Sequence, residues 1–176
     1  MKVITSGTFA FALSALAAWG ATSAGDAQAA SWIRHPGSNC LLQSASSSGY
    51  TLSNKDLENN TGSAVNYICP IEDNAEHQHH TINQLTVHVK DGHTNDSVWT
   101  QACISFWGAD GGSCAPSPEL KSSTGGTGWT TLTFDTAAEL AALTGNAADF
   151  PYVFVRLPGN ATGTNSKLSG FVTYYP

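Results

Sequence analysis

From residue 64 onward the chain alternates apolar and polar residues in short runs separated by turn residues, a period of two that predicts β-strands. Ala64 to Ile71 places Val65, Tyr67, Cys69 and Ile71 on one face, and Thr81 to Lys90 places Leu85, Val87 and Val89 on one face with His88 opposite. Further runs follow at Val98–Trp107, Gly128–Phe134, Tyr152–Leu157 and Leu168–Tyr175. Threonine and aromatic residues dominate them, which suits a pleated surface, and Asp91-Gly92 supplies a turn. Residues 30–62 show no sustained period and predict at most one weak strand, around Ser48 to Leu52. A single segment favours helix. Thr136 and Glu139 form a capping box, Ala137, Leu140, Ala141 and Leu143 are helix-compatible, and Gly145 ends the segment, so a short helix is expected over 137–144. Six or seven strands with so little helix predict one all-β domain, an antiparallel β-sandwich of immunoglobulin-like or jelly-roll order.

The first 29 residues read differently. A basic start at Lys2, an apolar run from Phe9 to Trp19 and small residues at Ala27 and Ala29 have the form of an export signal cut after Ala29. This division gives a signal peptide over 1–29 and a single secreted or periplasmic domain over 30–176. Lys2 and Asp26 leave together, so the formal charge of -6 is kept. No later stretch approaches the ~20 apolar residues that span a bilayer as a helix. An acidic chain also lacks the basic footprint of a nucleic-acid binder.

Export gives the four cysteines, Cys40, Cys69, Cys103 and Cys114, an oxidising environment, and an even count reads as two disulfides. Of three possible pairings, a reversal at Gly108-Ala109 favours the one that sets Cys103 opposite Cys114, which leaves Cys40 with Cys69. Each closed loop contributes about 3 kcal/mol in the chain-entropy model. The layout of Cys40, Cys69-Pro70, Cys103 and the closing Ser166-Lys167-Leu168-Ser169-Gly170-Phe171 resembles small exported bacterial proteins of unassigned function. The resemblance implies export and an all-β fold, and it brings no activity and no site residues.

Catalytic motifs are absent in any recognisable form: there is no Gly-x-Ser-x-Gly and no His-Glu-x-x-His. No cofactor is implied. The densest titratable cluster is His77, His79 and His80 beside Glu72, Asp73 and Glu76. In an extended segment His77 and His79 share a face, and His88 on the next strand is a third candidate ligand for zinc, copper or nickel. The competing reading is a solvated loop. Asp91, Asn95, Asp96 and Asp110 offer hard oxygen ligands for calcium without EF-hand spacing. Asn59, Asn95 and Asn160 begin Asn-x-Ser/Thr sequons, which point to surface loops.

Alternation in Val98–Trp107 sets Trp99, Gln101, Cys103, Ser105 and Trp107 against the more apolar Val98, Thr100, Ala102, Ile104 and Phe106. The same parity turns Tyr152, Phe154 and Arg156 outward and puts Trp129 on the polar side of its run. Trp99, Trp107, Trp129 and Tyr152 are therefore candidate ligand-binding residues on an exposed aromatic face. If Cys103 faces the core instead, as in immunoglobulin-type sandwiches, Trp99 and Trp107 become core residues. Three functional classes follow. The leading one is a non-catalytic extracellular binding module for polysaccharide or glycan, because sugar faces stack on aromatic rings while their hydroxyls hydrogen-bond. A structural subunit of a coat or matrix is the alternative, and a secreted enzyme with an unrecognised site is the third. The oligomeric state is left open.

Overall fold

Twelve strands and three short 3-10 turns make up a computed structural model that describes residues 30–43, 50–53, 56–108, 110–116, 120–123, 127–146, 148–160 and 163–176. The expected signal peptide lies outside these residues. The strands are β1 (Ser31–Pro36), β2 (Leu41–Leu42), β3 (Tyr50–Ser53), β4 (Asp56–Asn59), β5 (Val65–Pro70) and β6 (Gln84–Asp91). They continue with β7 (Trp99–Ser105), β8 (Gly112–Cys114), β9 (Lys121–Ser122), β10 (Gly128–Phe134), β11 (Phe150–Leu157) and β12 (Ser166–Tyr175). All pairings are antiparallel and fall into two sheets. The first sheet runs β10-β6-β12-β4-β3, with β1 beside β4 along the same edge of β12. The second runs β2-β5-β11-β7-β8, with β9 continuing the edge beyond β8. This is the β-sandwich that the alternation predicts.

The inward residues of both sheets form one core. Val65, Tyr67 and Cys69 from β5 and Val153, Val155 and Leu157 from β11 meet Leu85, Val87 and Val89 from β6 and Phe171 from β12. Fully burying an aliphatic or aromatic side chain of this size is worth about 1.5–3 kcal/mol, so this set dominates the stability. Two devices tie the strands together, a disulfide at the crossover from the first sheet to the second and a buried amide between the sheets. Cys40–Cys69 links the turn after β1 to β5. Asn59, at the end of β4, is fully buried. Its Nδ2 donates to the carbonyls of Ser63 (2.9 Å), Leu157 (3.1 Å) and Pro158 (3.0 Å). Its Oδ1 accepts from the Thr61 N–H (3.0 Å) and hydroxyl (2.7 Å). A buried amide tolerates desolvation only when its polar atoms are paired in this way. Asn59 is thus an internal fastener, and its sequon does not mark a surface loop.

The capping box over 136–139 forms, but the helix is shorter than expected. The Glu139 carboxylate accepts from the N–H groups of Asp135 (2.9 Å) and Thr136 (3.2 Å), and the Thr136 hydroxyl accepts from the Glu139 N–H (3.3 Å). Glu139 also pairs with Lys121. Residues 137–140 make a turn, and only Ala141–Thr144 is helical, as a 3-10 turn. Tightening to an i→i+3 bond, Leu143 N–H to Leu140 carbonyl at 2.8 Å, lets both leucines reach the core.

Segment 30–62, expected to hold at most one weak strand, holds β1, β2 and β4 besides β3. In β1 the inward residues are Ile33 and His35, and His35 is almost fully buried. Its ring stacks on Phe171 at 4.3 Å with planes 8° apart, and its Nε2 lies 3.1 Å from the Thr173 hydroxyl. Burial lowers the His35 pKa from 6.5, partly opposed by Glu72. A folded pKa below the unfolded value means that the unfolded chain takes up a proton first. Stability therefore falls as pH drops below about 6.5 and through the folded pKa. Glu58 and Asp96 contribute later, because their pKa values are also lowered, chiefly by side-chain hydrogen bonds from Asn165 and Arg156. Their stabilisation is present above the ordinary carboxylate range and is lost below it. Denaturant melts between about pH 6.5 and 5 are expected to show this early loss in the native chain and a flatter slope in His35→Gln. Identical slopes would exclude His35 as its source.

Candidate functional site

The strand pair β7–β11 carries the aromatic face. The register sets Arg156 opposite Trp99, Phe154 opposite Gln101, Tyr152 opposite Cys103 and Phe150 opposite Ser105. Thr100, Ala102 and Ile104 are the buried alternates of β7, while Pro151, Val153, Val155 and Leu157 are those of β11. Strand geometry therefore turns Phe150, Tyr152, Phe154 and Arg156 out along one line, with Trp99 beside it. On the other flank β5 adds Asn66 and Ile68, and β2 adds the exposed Leu41 opposite Ile68.

Cys103 is buried without facing the core. It sits opposite Cys114 in the β7–β8 register and is bonded to it, so the disulfide covers itself on the outer face. Cys69, in contrast, belongs to the core cluster. The alternative that would have drawn Trp99 and Trp107 inward does not occur, and the 3-10 turn at 141–144 packs at the sandwich end rather than over the aromatics.

Trp99 is half-buried. Its ring centroid lies 5.3 Å from that of Phe154, and the Arg156 guanidinium carbon lies 5.9 Å from the Trp99 centroid. Arg156 is held by a bidentate pair with Asp96, Nη1 to Oδ1 at 2.9 Å and Nη2 to Oδ2 at 2.7 Å. That contact holds the Asp96 pKa down and cancels the one cationic side chain in the aromatic line. The Tyr152 hydroxyl has its pKa raised by burial, so it stays a neutral donor and acceptor at ordinary pH. Beyond the end of β7, Trp107 is 68% exposed, and its ring centroid is 5.8 Å from that of Phe150. Its backbone N–H donates to Asp149 Oδ1 at 2.9 Å, which fixes the loop against β11.

Of the four aromatics expected to act together, Trp99, Trp107 and Tyr152 share this face. Trp129 does not. It lies on β10 opposite Lys90, on the other sheet, and is separated from the three by the core. Parity along a strand reveals in or out but not which sheet. Phe150 was missed although it precedes Tyr152 by two residues, because Pro151 between them looks like the boundary of a strand.

His77, His79 and His88 are not brought together. His77 Nε2 lies 2.9 Å from the Ser31 hydroxyl, and His88 is exposed on the first sheet with Nδ1 3.3 Å from the Thr131 hydroxyl. The 3-10 turn His79–Thr81 rolls His79 inward, where Nδ1 meets Asp73 at 2.5 Å and Nε2 has no hydrogen-bond partner among the described residues. Among those residues no group of three or more His, Cys, Asp or Glu is placed to hold a metal ion. The calcium candidates are likewise dispersed. Asp91 is buried against Ser123 and the His93 N–H, and Asp96 is committed to Arg156.

No family model and no curated protein sequence matches the chain. Among solved structures, a low-affinity xylan-binding module, CBM86, of Roseburia intestinalis is similar with a TM-score of 0.43 at 11% identity, over 82% of this chain and 93% of that one. A family 29 carbohydrate-binding module of Piromyces equi gives 0.49 at 9%, over 84% and 92%. A family 11 carbohydrate-binding module of Clostridium thermocellum, solved with a β-1,3-1,4-mixed-linked tetrasaccharide, gives 0.42 at 7%, over 81% and 87%.

The partial exposure of Trp99 has a measurable consequence. Trp99→Ala is expected to cost about 1–2 kcal/mol in a denaturant melt, well short of the roughly 3–5 kcal/mol for truncating the fully buried Phe134. Equal costs would place Trp99 in the core. With Trp32 at 54%, Trp107 at 68% and Trp129 at 56% exposure, tryptophan emission should be red-shifted and strongly quenched by acrylamide.

Proposed function

We propose that this chain is a non-catalytic extracellular glycan-binding module whose ligand lies along the aromatic line of β11. The observation that carries the reading is the line itself. Phe150, Tyr152 and Phe154 follow one another on one face, flanked by Trp99 and Trp107. From Phe150 to Arg156 the line is roughly 20 Å long at about 3.4 Å per residue, long enough for several sugar rings. Planar rings offer apolar faces to pyranose C–H groups, and Gln101, Asn66 and the Tyr152 hydroxyl lie among them to bond sugar hydroxyls. Because Arg156 is already neutralised by Asp96, the face favours an uncharged polysaccharide.

The line is also preorganised. It stands on β11 between β5 and β7, and Cys103–Cys114 clamps the neighbouring edge. Binding therefore orders few groups and loses little entropy. Two disulfides are consistent with an oxidising, extracellular setting.

The exposed Leu41, Phe150 and Trp107 on the same side favour one other reading, in which the face packs against a second copy in a surface assembly. A panel of neutral polysaccharides tested by affinity electrophoresis separates the two. The binding reading expects a monomer by light scattering, retarded by at least one polymer, with Trp99→Ala and Tyr152→Ala each weakening retardation about tenfold or more. Concentration-dependent assembly with no retardation would replace it by the assembly reading.

A further inference from the structure

The outer face of the first sheet carries a groove of different chemistry. Two adjoining hollows of about 290 and 450 Å³ share Arg34, His88 and Val172 and follow the line of β12. The floor is low because of a bulge. The register of β12 against β6 shifts between Leu168 and Gly170, and Gly170 has φ +153° with the His35 carbonyl oxygen 2.3 Å from where a Cβ would stand. No side chain fits there, so the groove is open between Arg34 on β1 and His88 on β6. Trp32, packed on Tyr174 at 4.4 Å, closes one end. Trp129 stands at the other, beside Lys90 and Lys167 in one cross-strand row.

Charge distinguishes this face from the aromatic line. The chain is acidic, with a formal charge of -6. Among the described residues Lys121, Arg156 and Lys167 each have a carboxylate partner, whereas Arg34 and Lys90 have no salt bridge. Both of these lie on the outer face of the first sheet. Lys90 reaches Glu58 only at longer range, and Lys167 already holds that carboxylate at 3.0 Å. Arg34 aligns with Val172 and Thr86, four residues from Lys90 along β6. That spacing is roughly 13 Å along the strands and roughly 10 Å across two of them, about 16 Å in all. Gln84, Thr86 and His88 line the hollows, and Thr131 lies opposite His88 on β10.

We propose that this groove is a second binding site, which takes an acidic oligosaccharide through carboxylates on two sugar rings several units apart. Arg34 and Lys90 pair with two of its carboxylates, Trp32 and Trp129 stack on rings at the ends, and the amide and hydroxyl side chains bond the hydroxyls between. Two cations about 16 Å apart suit a chain with at most one charge per sugar ring, engaged at two rings several units apart. They do not suit a nucleic acid, which presents one charge per about 1.7 Å of duplex.

Calorimetric titration of the purified protein with oligogalacturonate, with its neutral methyl-esterified form and with inorganic polyphosphate tests this site. The expected result is binding of the uronate that weakens as salt is raised and falls about tenfold or more on esterification. Arg34→Gln and Lys90→Gln should each lower uronate affinity about tenfold with an unchanged circular dichroism spectrum, and Arg34→Lys should recover part of it. Both substitutions change outward-facing side chains, and Lys90→Gln decides even if Arg34→Gln fails to fold. Absence of uronate binding overturns the proposal, as does equal binding of the esterified form. Equal binding of polyphosphate would reduce the groove to a general anion patch and overturns the saccharide assignment. Uronate binding that depends on Trp99 and not on Arg34 would move the ligand to the other sheet and overturns the site while leaving the aromatic line in place.

Discussion

Everything on the first sheet depends on how closely two backbones pass at Gly170. β12 must pair with β4 through its first residues and with β1 through its last, along one edge. The bulge between Leu168 and Gly170 makes the change of partner, and the His35 carbonyl occupies the space a side chain would need. With β1 seated there, Ile33 and His35 cover the inner side, while Trp32 and Arg34 stand out on the other. Any residue but glycine would force β1 away and open both the core and the groove, because its Cβ would meet fixed backbone and its φ would be strained.

The two outer faces are built by the same alternation and differ in what neutralises them. On the second sheet the arginine in the aromatic line is locked to Asp96, and the surface presents rings and a tyrosine hydroxyl. On the first, Arg34 and Lys90, without ion pairs among the described residues, flank a trough floored by Gly170 and Val172. A sandwich has a single core but two outer surfaces, and a side chain that changes the chemistry of one leaves the other untouched. Trp129 illustrates this: its type and parity match those of Trp99, yet it belongs to the opposite layer.

Strand by strand, legibility followed the strength of the period-two signal. Gly128–Phe134 matches its strand to the residue, and β5, β6, β7, β11 and β12 lie within a few residues of the expected runs. The disulfide partners were legible because a short reversal leaves few geometries for Cys103 and Cys114. β1 and β4 were not, since beside Ile33 and Leu57 their inward positions carry His35 and Asn59, polar residues made acceptable only by a stacked Phe171 and a set of carbonyl acceptors distant in sequence. The histidine cluster failed for a related reason. An extended reading put His77 and His79 together, but a 3-10 turn closed by the Thr81 N–H on the Gln78 carbonyl at 2.9 Å changes the parity and sends His79 inward. Outward aromatics on β7 and β11 were legible as a face, whereas the groove was not, because a trough between strands exists only once their order is known.

The pairing of β1 with β12 also determines how the domain would bear a mechanical load. Ser31 lies opposite Tyr175, so the first and last strands run side by side and their outer ends emerge together. Tension applied at those two ends pulls the strands apart like a zipper, loading one hydrogen-bonded pair at a time rather than shearing them all at once. Peeling would proceed from Ser31 toward Pro36 and then reach Cys40, where the covalent link to Cys69 passes the force into the other sheet. The domain can thus yield a short length of chain under tension before the load reaches β5 and the second sheet through a bond that stretching alone does not readily break.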